Sequence, residues 1–253
     1  MKQILPILLL LLLAAGALTG GFMLWQRRPG RVVITVNGRP LTAQELAWRG
    51  ETLFNDAKRD EHLVVTPDRE DEAREHYIRS AAKAWVMKEL LLAAAVARGV
   101  TVTPADEKEA IAQGDHRLKR IRGVTLEDYF NEGPLPRDVK ERDFREGVLA
   151  GKFLKMEVED KIKVTGQEIK SRTDELMRIN LLTTKPGEKP KYKTDHKSVI
   201  ALIRSERYAR GVRELYKSLY ATAQIVSPEY PELEKVEGVI PEKKKTAAGA
   251  RRP

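Results

Sequence analysis

The sequence predicts a mainly α-helical protein in which a small β element joins the N- and C-terminal ends. Three features of the chain point there. A threonine with an acid three residues later recurs at Thr42 and Glu45, Thr103 and Asp106, Thr125 and Asp128, and Thr165 and Glu168. This is a capping box, in which each side chain satisfies an orphan backbone N–H of the other residue at a helix start. Between the boxes, apolar residues recur at helical spacing over long stretches. Short β-branched runs stand near both ends of the body, at residues 31–36 and 224–226.

Residues 4–25 form an apolar run of 22 residues, broken by Pro6, Thr19 and glycines. A membrane-spanning helix needs about 20 such residues. A secretory signal would instead end at a small-x-small site such as Ala15-Gly16-Ala17, after an apolar core at residues 4–13. Uncut, the run would reach Trp25, an aromatic suited to the membrane interface. Residues 1–30 are therefore a membrane anchor or a signal peptide. Only Lys2 precedes the run, whereas Arg27, Arg28 and Arg31 follow it. By the positive-inside rule alone, that balance would keep the body in the cytoplasm.

The body opens on a strand at residues 31–36, where Val32, Val33, Ile34 and Val36 favour a pleated surface. Asn37-Gly38 is a turn signal, and the first capping box then starts a helix toward Phe54. A longer helix is expected over residues 68–98, with Ile78, Ala81, Trp85, Leu92 and Val96 near helical spacing and Gly99 as its cap. Pro104 fits a first helical position, where its missing N–H costs nothing. Another long helix is expected over residues 137–163, carrying Val139, Val148, Leu149, Phe153, Met156 and Ile162. The last, over residues 196–223, carries Val199, Ile203, Val212, Leu215, Tyr216 and Leu219 on one side and basic residues on the other. Residues 184–195 read as an exposed, lysine-rich loop. These boundaries give one helical domain over residues 31–226, then a disordered basic tail over residues 227–253.

Composition removes several kinds of chemistry. The chain has no cysteine, which excludes disulfides, thiolate metal sites and cysteine nucleophiles. Its histidines, His62, His76, His116 and His196, form no metal-binding spacing, so no metal site is expected. There is no nucleophile elbow and no phosphate-binding glycine loop. The carboxylates lie in mixed-charge runs of the kind that form solvated helix faces. No cofactor and no catalytic residue is expected, and the chain does not read as an enzyme. A net charge of +9 suits anionic partners, but no nucleic-acid-binding motif accompanies it, and nucleic acid is not an expected partner.

The order of these signals carries a resemblance. Val36-Asn37-Gly38 precedes a capped helix. A helix reading Lys88-Glu89-Leu90-Leu91-Leu92 and ending at Gly99-Val100 is followed by Val102-Thr103. Then come Gly123-Val124-Thr125-Leu126-Glu127-Asp128-Tyr129-Phe130, a long helix, and Val164-Thr165-Gly166-Gln167-Glu168-Ile169. Over residues 32–226 this resembles the N-terminal chaperone domain of the SurA, PpiD and PrsA group of bacterial envelope foldases. The resemblance implies a helical cradle for unfolded clients, completed by a late helix that folds back. It also implies a place on the periplasmic side of the envelope, anchored in the inner membrane or exported. Members of the group often carry a parvulin prolyl-isomerase domain before that last helix. Here only residues 171–195 are available, far too few for one.

The partners implied are unfolded or extended polypeptides, together with the membrane through the N-terminal segment. A surface for many clients needs exposed apolar side chains with a polar rim, and methionine and aromatics serve it well. The candidates are Tyr129, Phe130, Met177, Trp48, Phe54 and Met156, whereas Trp85, Phe153 and Tyr216 are expected in the core. Three other readings stay open: a membrane-anchored scaffold that binds one fixed partner, a prolyl-isomerase relative whose activity is lost or cryptic, and a basic protein that docks on nucleic acid or anionic lipid chiefly through residues 242–253.

Overall fold

The structure, a computed structural model, describes residues 30–60, 63–185 and 187–236. The apolar run at residues 4–25 and the end of the tail lie outside the described residues. Among those described, no helix is long and apolar enough to cross a membrane.

The protein is mainly helical, with seven helices and one small antiparallel sheet among the described residues. Strand β1 (Val32–Val36) turns through Asn37 and Gly38 into β2 (Arg39–Thr42). Both turn residues have positive φ, 49° and 83°, which is the geometry of a tight hairpin matched to strand twist. Strand β2 was not foreseen, because its sequence is Arg-Pro-Leu-Thr. Proline is tolerated here because β2 is an edge strand, where the missing N–H breaks no ladder. On the other side of β1 lies β3 (Ile225–Val226), with Val36 opposite Ile225 and Thr35 opposite Val226. The β element thus joins the two ends of the described chain.

Helix α1 (Ala43–Asp60) starts where β2 ends, and the Glu45 N–H donates to Thr42 Oγ1 at 3.2 Å. Helix α2 (Glu70–Ala97) has three acids in its first turn, where they meet the positive end of the helix dipole. It stops at Gly99 (φ 65°), with Val100 N donating to Ala95 O and Gly99 N to Val96 O, which closes a Schellman cap. The remaining boxes start α3 (Pro104–Arg122), α4 (Leu126–Asn131) and α6 (Gly166–Thr183), each with both reciprocal hydrogen bonds in place. Helix α5 (Arg137–Glu157) is shorter than its periodicity predicts. The chain leaves the helix at Val158, which is packed over Gly211 so closely that a Cβ there would lie 2.7 Å from Val158 Cγ1. Helix α7 (His196–Thr222) is capped by Asp195, which accepts from Ser198 N at 2.9 Å.

The described residues divide into two compact units. The first comprises residues up to Val86, Gly114–Glu141 and Gln224–Glu234; the second comprises Met87–Gln113 and Arg142–Ala223. In the first, α1 buries Leu46, Gly50, Phe54 and Ala57 along one stripe. A Cβ on Gly50 would come within 2.8 Å of the Ile78 Cα, so the α1 and α2 backbones meet there. Phe54 fills the next turn, 5.7 Å from the Tyr77 ring. Ordered chain also extends past residue 226, into the stretch placed by composition in the disordered tail. Ser227, Tyr230 and Leu233 are buried, and Arg31 pairs with Glu229, so two apolar side chains and an ion pair hold this segment to the first unit.

The second unit has its own core. Leu176, Val199 and Ile203 form a buried cluster, with Val164, Ile169, Tyr192 and Leu202 packed against it. Trp85, in the first unit, and Phe153 and Tyr216, in the second, are buried as the periodicity predicted.

Two outcomes follow. Gly50→Ala gains up to about 1 kcal/mol of helix propensity but drives a methyl into backbone. Overpacking of this kind costs about 1–3 kcal/mol, so the urea midpoint should fall. Separately, hydrogen bonds from Thr125 and Thr103 hold the carboxyls of Asp128 and Asp106 below the ordinary carboxylate range, and the Thr165 N–H does so for Glu168; for Asp106 the largest cause is Lys152. Groups with depressed folded-state pKa bring stability that is present above the ordinary carboxylate range and lost as pH falls through the folded value. The triple variant Asp106→Asn, Asp128→Asn, Glu168→Gln should therefore lose less stability on acidification than the wild type, as read from urea titrations across the acid range.

Candidate functional site

The first unit carries a hollow of about 240 Å³ beside Tyr129. Its position follows from local sequence. The box at Thr125 fixes the start of α4, and Asp115 Oδ1 accepts a further hydrogen bond from Leu126 N at 2.7 Å. Helix α4 lasts only six residues before the chain turns through Gly133 (φ 72°) and Pro134. Its last carbonyls lack the next helical turn, and Tyr129 O accepts only a long 3.4 Å bond from Glu132 N on the backbone. Lys140, near the start of α5, reaches back to supply their donor: its Nζ donates to Tyr129 O at 2.7 Å and also to Glu132 O. Lys140 is only 4% exposed. Burial pushes its pKa below the ordinary lysine value, with neighbouring Asp56 and Glu132 acting in the opposite direction.

The Tyr129 ring lies between two cations, with Lys140 Nζ 4.8 Å and the Arg122 guanidinium carbon 5.7 Å from its centroid. Arg122 Nε donates to Asp60 Oδ2 at 2.8 Å, and its Nη2 lies 3.0 Å from Asp56 Oδ2. Burial works against the Arg122 charge, but the two carboxylates more than offset it and its pKa stands above the ordinary value. Arg59 completes the rim by donating to Asp56 Oδ1 and Glu132 Oε2, each at 3.0 Å. Thr52 and Asn55 line the α1 side; the Thr52 hydroxyl donates to Trp48 O, while Asn55 is exposed. The walls are thus an aromatic ring and a proline, and the rim consists of cations and carboxylates neutralised by one another. Such an arrangement can seat an apolar side chain and hydrogen-bond the peptide groups beside it.

The structure sorts the six residues named from sequence. Tyr129 lines the hollow, and Phe130 is half-buried next to it, with ring centroids 6.3 Å apart. Trp48 is half-buried on α1. Phe54 is a correction: it is fully buried and cannot touch a client, because it lies on the α1 stripe that packs on α2, with Lys58 and Arg74 over its ring. Met156 and Met177 are about half exposed, but they belong to the second unit and are no part of this hollow. Sequence reasoning missed Asp56, Arg59, Glu132 and Lys140. The Gly133-Pro134 pair signals a turn, but no local pattern marks a lysine destined to cap a helix eight residues or more behind it. Among the described residues no group of histidines and carboxylates could hold a metal ion.

No family model, no curated protein and no solved structure matches this chain.

Lys140→Met keeps most of the volume, removes the Lys140 donor from Glu132 O and leaves Tyr129 O with the long 3.4 Å bond from Glu132 N. An unsatisfied buried group costs about 1–3 kcal/mol, so the variant should unfold at lower denaturant. Because Lys140 is depressed when folded, the unfolded state binds more protons in the alkaline range. The stability of wild type minus variant should therefore grow as pH rises toward the ordinary lysine value, which paired urea titrations will read.

Proposed function

We propose that this chain binds unfolded or partly folded polypeptides in the bacterial cell envelope, as a non-enzymatic, holdase-like module of the SurA, PpiD and PrsA kind without a parvulin domain. The hollow beside Tyr129 carries the reading. Sites for drug-sized ligands occupy about 300–1,000 Å³; at about 240 Å³ this one suits a single side chain of a longer chain. Tyr129 and Pro134 favour an apolar occupant. Because the rim charges neutralise one another, the hollow asks for no particular charge on its ligand, as a site serving many sequences requires. The order of capped helices supports the family resemblance, as do the strands that join the two ends.

The test uses the absence of cysteine. Asn55→Cys is exposed at the rim and gives a unique attachment point for an environment-sensitive dye. The signal should change on addition of an unfolded membrane-barrel polypeptide and stay unchanged with the same protein folded. Tyr129→Ala should weaken that response about tenfold or more, the effect of losing an aromatic anchor at an interface, and should also reduce suppression of client aggregation. An unfolded client that leaves both the dye and its own aggregation unaffected refutes the proposal. Capture of one folded partner alone would establish the scaffold reading in its place.

A further inference from the structure

A different surface, in the second unit, goes beyond polypeptide binding. The last two turns of α6 present Met177, Leu181 and Leu182 to solvent at 47%, 85% and 79% exposure. Met177 and Leu181 are four residues apart on one face, and Leu182 follows directly. Scattered single apolar residues on a surface mean little, but two adjacent leucines left almost wholly bare on a helix end do. The opposite face of the same helix is satisfied, since Leu176 there is buried with Val199 and Ile203.

The chain that follows is basic, and Tyr192 in it is held in place. Residues 185–197 contain Lys185, Lys189, Lys191, Lys193 and Lys197 against two acids, Glu188 and Asp195. Asp195 already caps α7. All five lysines are exposed, and none forms an ion pair among the described residues. The loop is pinned to the helix at the turn that bears the leucines. Asn180 Nδ2 donates to Tyr192 O at 2.8 Å, and Tyr192 N donates to Asn180 Oδ1 at 3.0 Å. Tyr192 itself packs against the buried cluster, so Lys191 and Lys193 flank a fixed residue. Lys191 lies over the Tyr192 ring, 5.4 Å from its centroid, so bare leucines and exposed lysines are neighbours by construction.

We propose that the C-terminal end of α6 and the lysine loop after it dock on the surface of an anionic phospholipid bilayer, with Leu181 and Leu182 entering the acyl boundary and the lysines meeting the headgroup phosphates. Apolar side chains beside lysines are the composition of interfacial membrane elements, and anionic lipid surfaces attract such basic segments. A folded protein partner would need carboxylates opposite several lysines that differ in height and reach; a fluid anionic surface meets them without a fixed pattern. The bilayer-length run at residues 4–25 is a separate feature of the same sequence, so membrane association of the whole chain is not itself diagnostic. The readout must be local.

Leu182→Cys in the full chain, which has no other cysteine, takes an environment-sensitive dye at the centre of the patch. The labelled protein is reconstituted into vesicles of neutral phosphatidylcholine, with or without phosphatidylglycerol. The dye should shift to the blue, and be quenched by a lipid-borne quencher, only when the anionic lipid is present. The shift should disappear in about 1 M salt, where the screening length falls to about 3 Å. Changing Lys185, Lys189, Lys191 and Lys193 together to Glu should weaken lipid docking more than about a hundredfold, at about one thermal-scale contact per lysine. Equal emission in neutral and anionic vesicles overturns the proposal. So does a dye that responds to an unfolded polypeptide while ignoring lipid, which would assign the patch to clients. Neither outcome depends on the hollow beside Tyr129, whose own test uses position 55.

Discussion

The pairing of β1 with β3 is the constraint on which the first unit depends. It brings residues 35–36 against residues 225–226, and it is reinforced at its open end by Asn37. The Asn37 N–H donates to Gln224 O at 2.8 Å, and its side-chain oxygen accepts from Gln224 N at 2.9 Å. One residue thus forms the hairpin turn, through its positive φ, and clamps the returning chain. Closing so long a loop is less costly than its length suggests, because the entropy of closure grows only logarithmically. What the closure secures is the seat for the segment beyond it. Ser227, Tyr230 and Leu233 are buried only because β3 delivers them to the first unit, where Arg31 and Arg79 lie within ion-pair distance of Glu229 and Glu232.

The charges of this chain fall into two classes with different weight. Some ion pairs, such as Arg79 with Glu75 or Arg74 with Glu70, are exposed helix-face pairs spaced four apart. Such pairs contribute about 0.5 kcal/mol or less each and fade with salt. Arg122 and Lys88 are different. Arg122, with a side chain 10% exposed, is shared between Asp56 and Asp60, and Lys88, 17% exposed, contacts Asp143 and Glu146 beside the buried Glu89. Each of these cations bridges two carboxylates in a partly dry setting, where losing a partner costs more than at the surface, although Asp56 and Asp60 also lie within 3.5 Å of Arg59. The helices each of these two cations joins are set by charge as well as by apolar contact.

How much of this was legible depended on how local each signal is. The capping boxes at Thr103, Thr125 and Thr165 were readable because both partners lie within one turn of helix. The terminal strand at Ile225 and the core positions of Trp85, Phe153 and Tyr216 were readable from β-branching and periodicity. Strand β2 was hidden by Pro40, which is acceptable only on an edge, and edge position is a property of the sheet rather than of the strand. Phe54 was misassigned as a contact residue because its stripe-mates include Gly50, which looks like a gap in an apolar face but is the point of closest helix approach. The hollow was mostly illegible. Tyr129 could be named as an aromatic at a helix end, but Asp56, Arg59, Glu132 and Lys140 come together only through folding.

The two proposed binding surfaces show how the same ingredients serve different ends. At Tyr129 the apolar surface is recessed, and the charges around it are paired: Arg59 with Asp56 and Glu132, Lys140 with backbone carbonyls. A recess of that kind excludes anything flat and broad, and its neutral rim imposes little selection on what enters. At Leu181 and Leu182 the apolar surface projects, and the lysines beside it are exposed and form no ion pair among the described residues. A projecting pair cannot grip an extended chain from several sides, but it can enter a soft medium, and exposed lysines make the energy of doing so depend on the counter-charge that medium offers. Whether charge is paired within the protein or left open, more than the amount of apolar surface, separates a site that tolerates many ligands from one that selects a surface by its sign.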